Sequence, residues 1–380
     1  MSVSALVNLQ PAVQVALMGL AVACGPLAWI ALKHRQRGWT TRWRALAVLT
    51  VFLTFDLVIF GAFTRLSDSG LGCPDWPGCY GSVSPVGARA DIEAAQLAAP
   101  TGPVTHTKAW IEMIHRYLAT SVGVLITVLM VSAWTGRRLS MGRSVPVGLP
   151  TLAFFWVVLQ GIFGMLTVTL KLYPAVVSTH LLLALGLLVI LTLQSQSGAL
   201  QHPIHLPDRQ RVRTRRYLAL AALALLAQIA LGAWVSTNYA VLACTDFPRC
   251  LGSWWPRMDF HHAFELLRPL GRTPGGRYLP QEALTAIHMT HRLGAVVALT
   301  ALSALAVTLW RGDDASGRAR RYARLLAFLI AWQFLSGLSN VVLGWPLLAA
   351  LAHTAGAAML SILLTLLWVS LRTQRQHLAP

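Results

Sequence analysis

Nine stretches of the chain, at about residues 11–32, 45–63, 109–134, 146–170, 175–195, 217–237, 282–310, 322–343 and 346–371, are nearly free of charge and about 20 residues long or longer. A helix rises about 1.5 Å per residue, so each stretch is long enough to cross about 30 Å of hydrocarbon. When so many recur, the bilayer is the solvent, and a composition 56% hydrophobic and 12% charged agrees. The pattern predicts an all-α polytopic membrane protein. A formal net charge of +18 does not point to nucleic acid, because the basic residues form short clusters between apolar runs, as cytoplasmic loops do.

Those clusters set the direction of the chain. The loops after the first, third, fifth and seventh runs, with the tail after the ninth, hold 20 Lys and Arg, among them Arg143 and Arg375. The remaining loops hold nine, spread over longer segments. The long loops after the second and sixth runs are therefore expected outside. The first run has no basic segment before it and no cleavage signal, so a retained helix with its N-terminus outside is expected.

The sequence repeats with a period of about 173 residues. Gln160, Gly164 and His180 recur as Gln333, Gly337 and His353, each at an offset of 173. The loop Cys73-Pro-Asp-Trp-Pro-Gly-Cys79 recurs as Cys244-Thr-Asp-Phe-Pro-Arg-Cys250, and His115-Arg116 as His291-Arg292. Two tandem four-helix bundles related by internal duplication are expected, residues 45–200 and 201–380, preceded by an extra transmembrane helix and basic loop in 1–44.

His115, His180, His291 and His353 lie inside apolar runs, each at a depth of about 10 Å from the outer end. An ionisable residue there costs several kcal/mol and should face the bundle interior. Two imidazoles at one depth on two helices are the arrangement of a bis-histidine heme, one per half. The competing readings are interhelical hydrogen bonding and a zinc or copper site, which usually draws further Cys or carboxylate ligands. Arg116 and Arg292 are suited either to a porphyrin propionate or to snorkelling toward the surface. Glu112 stands one turn before His115, a proton-handling candidate or a helix-start acid; the matching position holds His288, expected to be structural. Asp56 is expected as a second buried acid. Cys73 with Cys79 and Cys244 with Cys250 are expected as disulfides in an oxidising compartment, with zinc the weaker alternative and a structural or redox role left open.

The stretch Gly61-Ala-Phe-Thr64-Arg65-Leu66-Ser67-Asp-Ser69-Gly70-Leu71, the cysteine loop with Asp75-Trp76-Pro77, Glu112-Met-Ile-His115-Arg116, Gln160-Gly161-Ile-Phe-Gly164, Thr179-His180-Leu181, His291-Arg292 and His353 together resemble the heme A synthase family over about residues 45–371. The resemblance implies oxidation of the C8 methyl of heme O to the formyl group of heme A by successive hydroxylations. It further implies that His115 and His180 hold the substrate heme, that Glu112 assists catalysis, that His291 and His353 ligate a heme b cofactor, and that Cys73 pairs with Cys79. The implied surroundings are the lipid of a bacterial inner membrane with the cysteine loops outside, heme O from a protoheme farnesyltransferase, an electron donor and terminal oxidase assembly; self-association is left open. Members usually have eight helices and many lack the second cysteine pair, so the first run and Cys244–Cys250 depart from the pattern. The rival functions are a diheme transmembrane electron-transfer protein and a thiol-disulfide membrane oxidoreductase.

Overall fold

The computed structural model describes residues 10–138, 145–196 and 203–372; Arg143, Arg375 and the expected 200/201 boundary lie outside them. The chain divides into two compact units, Met1–Ser195 and Gln196–Pro380. The first contains α1 (Gln10–Lys33), α2 (Trp39–Leu66), α3 (Arg89–Ala98), α4 (His106–Arg138), α5 (Gly148–Thr169) and α6 (Pro174–Ser195). The second contains α7 (Asp208–Thr237), a 3-10 turn at Ala240–Ala243, α8 (Phe260–Ala263), α9 (Gln281–Trp310), α10 (Arg318–Val342) and α11 (Leu347–Ser370). Among the described residues every regular element is helical apart from isolated bridges, and nine helices are long and apolar enough to cross a membrane. The chain is an all-α multi-pass membrane protein.

Several helices outrun their apolar stretches. The 33 residues of α4 span about 50 Å, and α7 begins at Asp208, taking in the basic segment up to Arg216. Arginine is a good helix former, so a helix already nucleated in the apolar run continues through it. The amphipathic α3, in the long loop between α2 and α4, was not foreseen: ten residues are too few to stand out beside runs twice as long.

Large apolar side chains point outward. Phe155, Leu223 and Val296 are each more than 60% exposed, a surface that would drive aggregation in water but is the solvated face in lipid. The buried remainder joins helices within each unit. In the first, Trp43, Leu46 and Ala47 of α2 pack with Leu125, Leu129 and Ala133 of α4, and the Trp43 indole N–H donates to the Leu129 carbonyl at 3.1 Å. In the second, Leu218 and Leu225 of α7, Leu302 and Leu305 of α9, Leu326 of α10 and Leu360 of α11 form one cluster.

Two expectations change. The sequence sets residues 1–44 apart, whereas α1 packs into the first unit. Gly19 passes so close to Thr120 that a Cβ would lie 2.5 Å from its methyl group, a small-residue approach of the kind that joins membrane helices. Val15 enters a cluster with Cys73, Cys79 and Met113. Asp56 is not buried: Thr54 and Val58 take the packed face of α2, and the position between them is exposed, as the helical period requires.

Candidate functional site

Each unit builds the same loop at one end of its helices. Cys73 bonds to Cys79 and Cys244 to Cys250, with Cα separations of 4.9 and 4.8 Å, as the sequence leads one to expect. All four sulfurs are paired with each other, and among the described residues no group of three or more His, Cys, Asp or Glu could hold a metal ion. A two-residue turn follows each ring, with Tyr80 and Gly81, then Leu251 and Gly252, all at positive φ. Glycine adopts that conformation freely; Tyr80 and Leu251 do not. Asp75 offsets the strain, its two carboxylate oxygens accepting from the Tyr80 and Gly81 N–H groups at 2.6 and 2.8 Å. Asp246 does the same for Leu251 and Gly252 at 2.7 and 3.0 Å. Both aspartates stand in the Asp-aromatic-Pro core that the two loops share, and nothing in that core alone assigns them a role.

The Gly252 N–H, and then the Leu251 N–H, hold the Asp246 carboxyl below its ordinary value of 3.8. A depressed value means the contribution is complete above about pH 4 and disappears as the pH falls through the folded-state value. Reduction of Cys244–Cys250 by a phosphine should therefore keep a constant rate, corrected for reductant ionisation, from pH 7 to about 5 and accelerate below 3.8. Asp246→Asn should be fast throughout; a flat profile in the parent would show the cap to be irrelevant to the loop.

Beneath the first loop the guanidinium of Arg116 gathers its carbonyls. Nη1 donates to Asp75 O at 3.0 Å, to Pro77 O at 3.2 Å and to Gly78 O, and Nη2 to Glu112 Oε1 at 2.5 Å. The other Glu112 oxygen accepts from the Cys73 N–H at 2.9 Å. Glu112 is 4% and Arg116 9% exposed, so this is a buried ion pair completed by loop backbone. In the second unit Arg292 donates to Arg249 O at 2.9 Å, Cys244 O at 3.1 Å and Asp246 O at 2.9 Å. Among the described residues no carboxylate bonds it; His288 occupies that turn and bonds the Ala240 carbonyl through Nδ1 at 2.9 Å, the structural part expected of it. Both arginines thus spend donors on the loops, a use the sequence did not suggest because the acceptors lie about 40 residues away.

The four helical histidines sit one turn or less from these clamps or on the partner helix. His115 lies on α4 facing α2, His180 on α6 facing α5, His291 on α9 facing α7 and His353 on α11 facing α10. In each case a glycine faces the imidazole. A Cβ on Gly61 would lie 3.0 Å from His115 Nε2, on Gly164 3.3 Å from His180 Cε1, on Gly232 3.0 Å from His291 Cε1 and on Gly337 3.1 Å from His353 Cε1. His115 and His180 are within electrostatic reach of each other, as are His291 and His353.

Three glutamines attend these rings. The Gln160 amide lies 3.4 Å from His180 Nε2 and donates to His180 O at 3.1 Å. Gln228 lies 3.0 Å from His291 Nδ1 and donates to His291 O at 3.1 Å. The Gln333 nitrogen is 3.3 Å from His353 Nδ1 and 2.9 Å from His353 O, and Ser336 Oγ is 3.0 Å from the same Nδ1. Gln160 Oε1, Gln228 Oε1 and His180 Nδ1 are buried without a hydrogen-bond partner among the described residues. The amide nitrogens of Gln160 and Gln228, not their orphaned oxygens, face the rings, so the glutamines hold each ring in place as donors, and the two imidazoles of a unit, each seated on a facing glycine, stand within reach of one shared group. The observed arrangement therefore fits a porphyrin held between two imidazoles in each unit.

Comparison with known proteins agrees with this chemistry. A protein from Shewanella oneidensis named heme A synthase is 36% identical over 333 residues, covering 85% of this chain and 94% of the relative. Heme A synthases from Methylobacterium sp. and Halalkalibacterium halodurans are 32% and 27% identical, covering 82% and 85% of the chain. Residues 44–366, from the start of the second membrane helix almost to the end of the last, match the family described as cytochrome oxidase assembly protein, COX15-CtaA, and the chain belongs to that family.

Proposed function

We propose that the chain is a heme A synthase, an oxidoreductase that takes the C8 methyl group of heme O to the formyl group of heme A by successive hydroxylations. The observation that carries this reading is the imidazole pair in each unit, every ring lying against a glycine of a neighbouring helix. His115 and His180 hold the substrate heme; His291 and His353 hold heme b. Bound there, heme b supplies one-electron redox chemistry. The first unit alone places a carboxylate, Glu112, one turn from its histidine, so the reaction is assigned to it and Glu112 to proton handling. Arg116 and Arg292 fix the disulfide loops over the two sites, and a propionate contact by either has to be shared with the loop carbonyls.

Heme O from a protoheme farnesyltransferase, an electron donor and a terminal oxidase awaiting heme A are the partners this activity requires. The excess of Lys and Arg in alternate loops supports a bacterial inner-membrane location with the cysteine loops outside. Co-expression with a heme O source, followed by chromatography of the extracted pigment, tests the proposal. Heme A together with heme b is the expected result. Heme b alone would make the chain an electron carrier.

A further inference from the structure

Of the four histidines, His115 is the exception. His180, His291 and His353 each have a glutamine amide on ring and backbone. His115 has no hydrogen-bond partner among the described residues and instead has the Phe60 ring lying parallel at 6.3 Å. The difference is built in at two positions. Gln228 stands one turn before Gly232, the glycine that faces His291, and the space for its amide exists because residue 294, three after His291, is glycine: a Cβ there would lie 2.4 Å from Gln228 Oε1. One turn before Gly61 the first unit has Leu57, and three residues after His115 it has Leu118. Amide and space are both replaced by leucine.

We propose that His115 is the ligand of the four that gives way, so that the first unit opens one face of its heme while the second keeps both of its ligands. This rests on the heme A synthase reading. The bond broken is the coordinate bond from the His115 nitrogen, whose electron pair stays on the imidazole, so the step needs no oxidant or reductant. An amide nitrogen that donates both to the ring and to the backbone carbonyl of the same histidine fixes the orientation of the imidazole. Gln228 is accordingly a positioning residue for His291, as Gln160 is for His180, and the pair with fewest such contacts is the pair whose heme has to be exchanged and transformed.

Carbon monoxide is the probe, because it binds a ferrous heme only where an axial ligand yields. The full chain, loaded with both hemes in detergent and reduced, should bind carbon monoxide at one heme. Leu57→Gln with Leu118→Gly transplants the second unit's arrangement and should weaken that binding about 10-fold, the size of effect outer partners have on metal ligands, with heme content and the low-spin spectrum retained. Gln228→Leu with Gly294→Leu should let the second heme bind carbon monoxide. If the first double variant does not accumulate, Gln160→Leu replaces it and should tighten binding at the first site. Equal binding at both hemes of the parent, or swaps that change nothing while heme content stays intact, would overturn the proposal. A chain that takes up no heme at all would instead overturn the reading on which it rests.

Discussion

On the proposed function, replacing His291 by alanine should empty the second unit of heme b while the first still takes heme O. The remaining ligand, His353, is well held by Gln333 and Ser336, but one imidazole cannot supply both axial bonds, and Gln228 loses the ring that its amide contacts. Each lost partner of a metal site typically costs 10- to 100-fold in affinity, so losing a ligand outright should reduce retained heme b at least about 100-fold after purification. Heme O should remain in the first unit at parental amounts, because Gly61, Phe60, Gln160 and Gly164, which lie against His115 and His180, all belong to that unit. Extracted pigment resolves the two. Loss of both hemes together would show that the units do not bind independently, and retention of both would make His291 an interhelical contact.

Glu112 separates structure from chemistry when it is changed in two ways. Glu112→Leu removes the acceptor of both the Arg116 guanidinium and the Cys73 N–H, leaving a buried cation without its counter-charge. Breaking one side of a buried pair costs about 3–5 kcal/mol, and the effect should appear as a lower thermal midpoint and faster reduction of Cys73–Cys79. Glu112→Gln keeps an amide oxygen for one of these donors and should fold, but it cannot exchange a proton as a carboxyl does. Heme A formation should then fall about 10²- to 10⁴-fold, the range for loss of a general acid or base, with both hemes still bound. An E112Q protein that makes heme A at the parental rate would confine Glu112 to holding the loop.

The membrane helices were legible in the sequence because hydrocarbon imposes one length and one polarity on every span. The paired histidines were legible because an imidazole in such a span is costly. What surrounds them was not. The carbonyls that Arg116 collects are 38 to 41 residues away in the chain, and nothing in local spacing says that a loop will fold back over its own helix. Gln228 and Gly294 matter only together, as an amide and the space for it, and neither is conspicuous alone. Asp56 was read as buried because an acid in an apolar run suggests an interior position, whereas the neighbours at 54 and 58 define the packed face and place it outside. The first helix was set apart by position in the chain, although its glycine and its contacts with the cysteine loop make it part of the first unit.

The glycines that face the four imidazoles have a consequence for assembly. Each is a notch in one helix into which the ring of its neighbour fits. Within each unit, α2 with α4, α5 with α6, α7 with α9 and α10 with α11 are thereby keyed against vertical slippage. The height of each imidazole is thus set by polypeptide alone, so on the proposed function the apoprotein presents its ligands at one level before any pigment arrives.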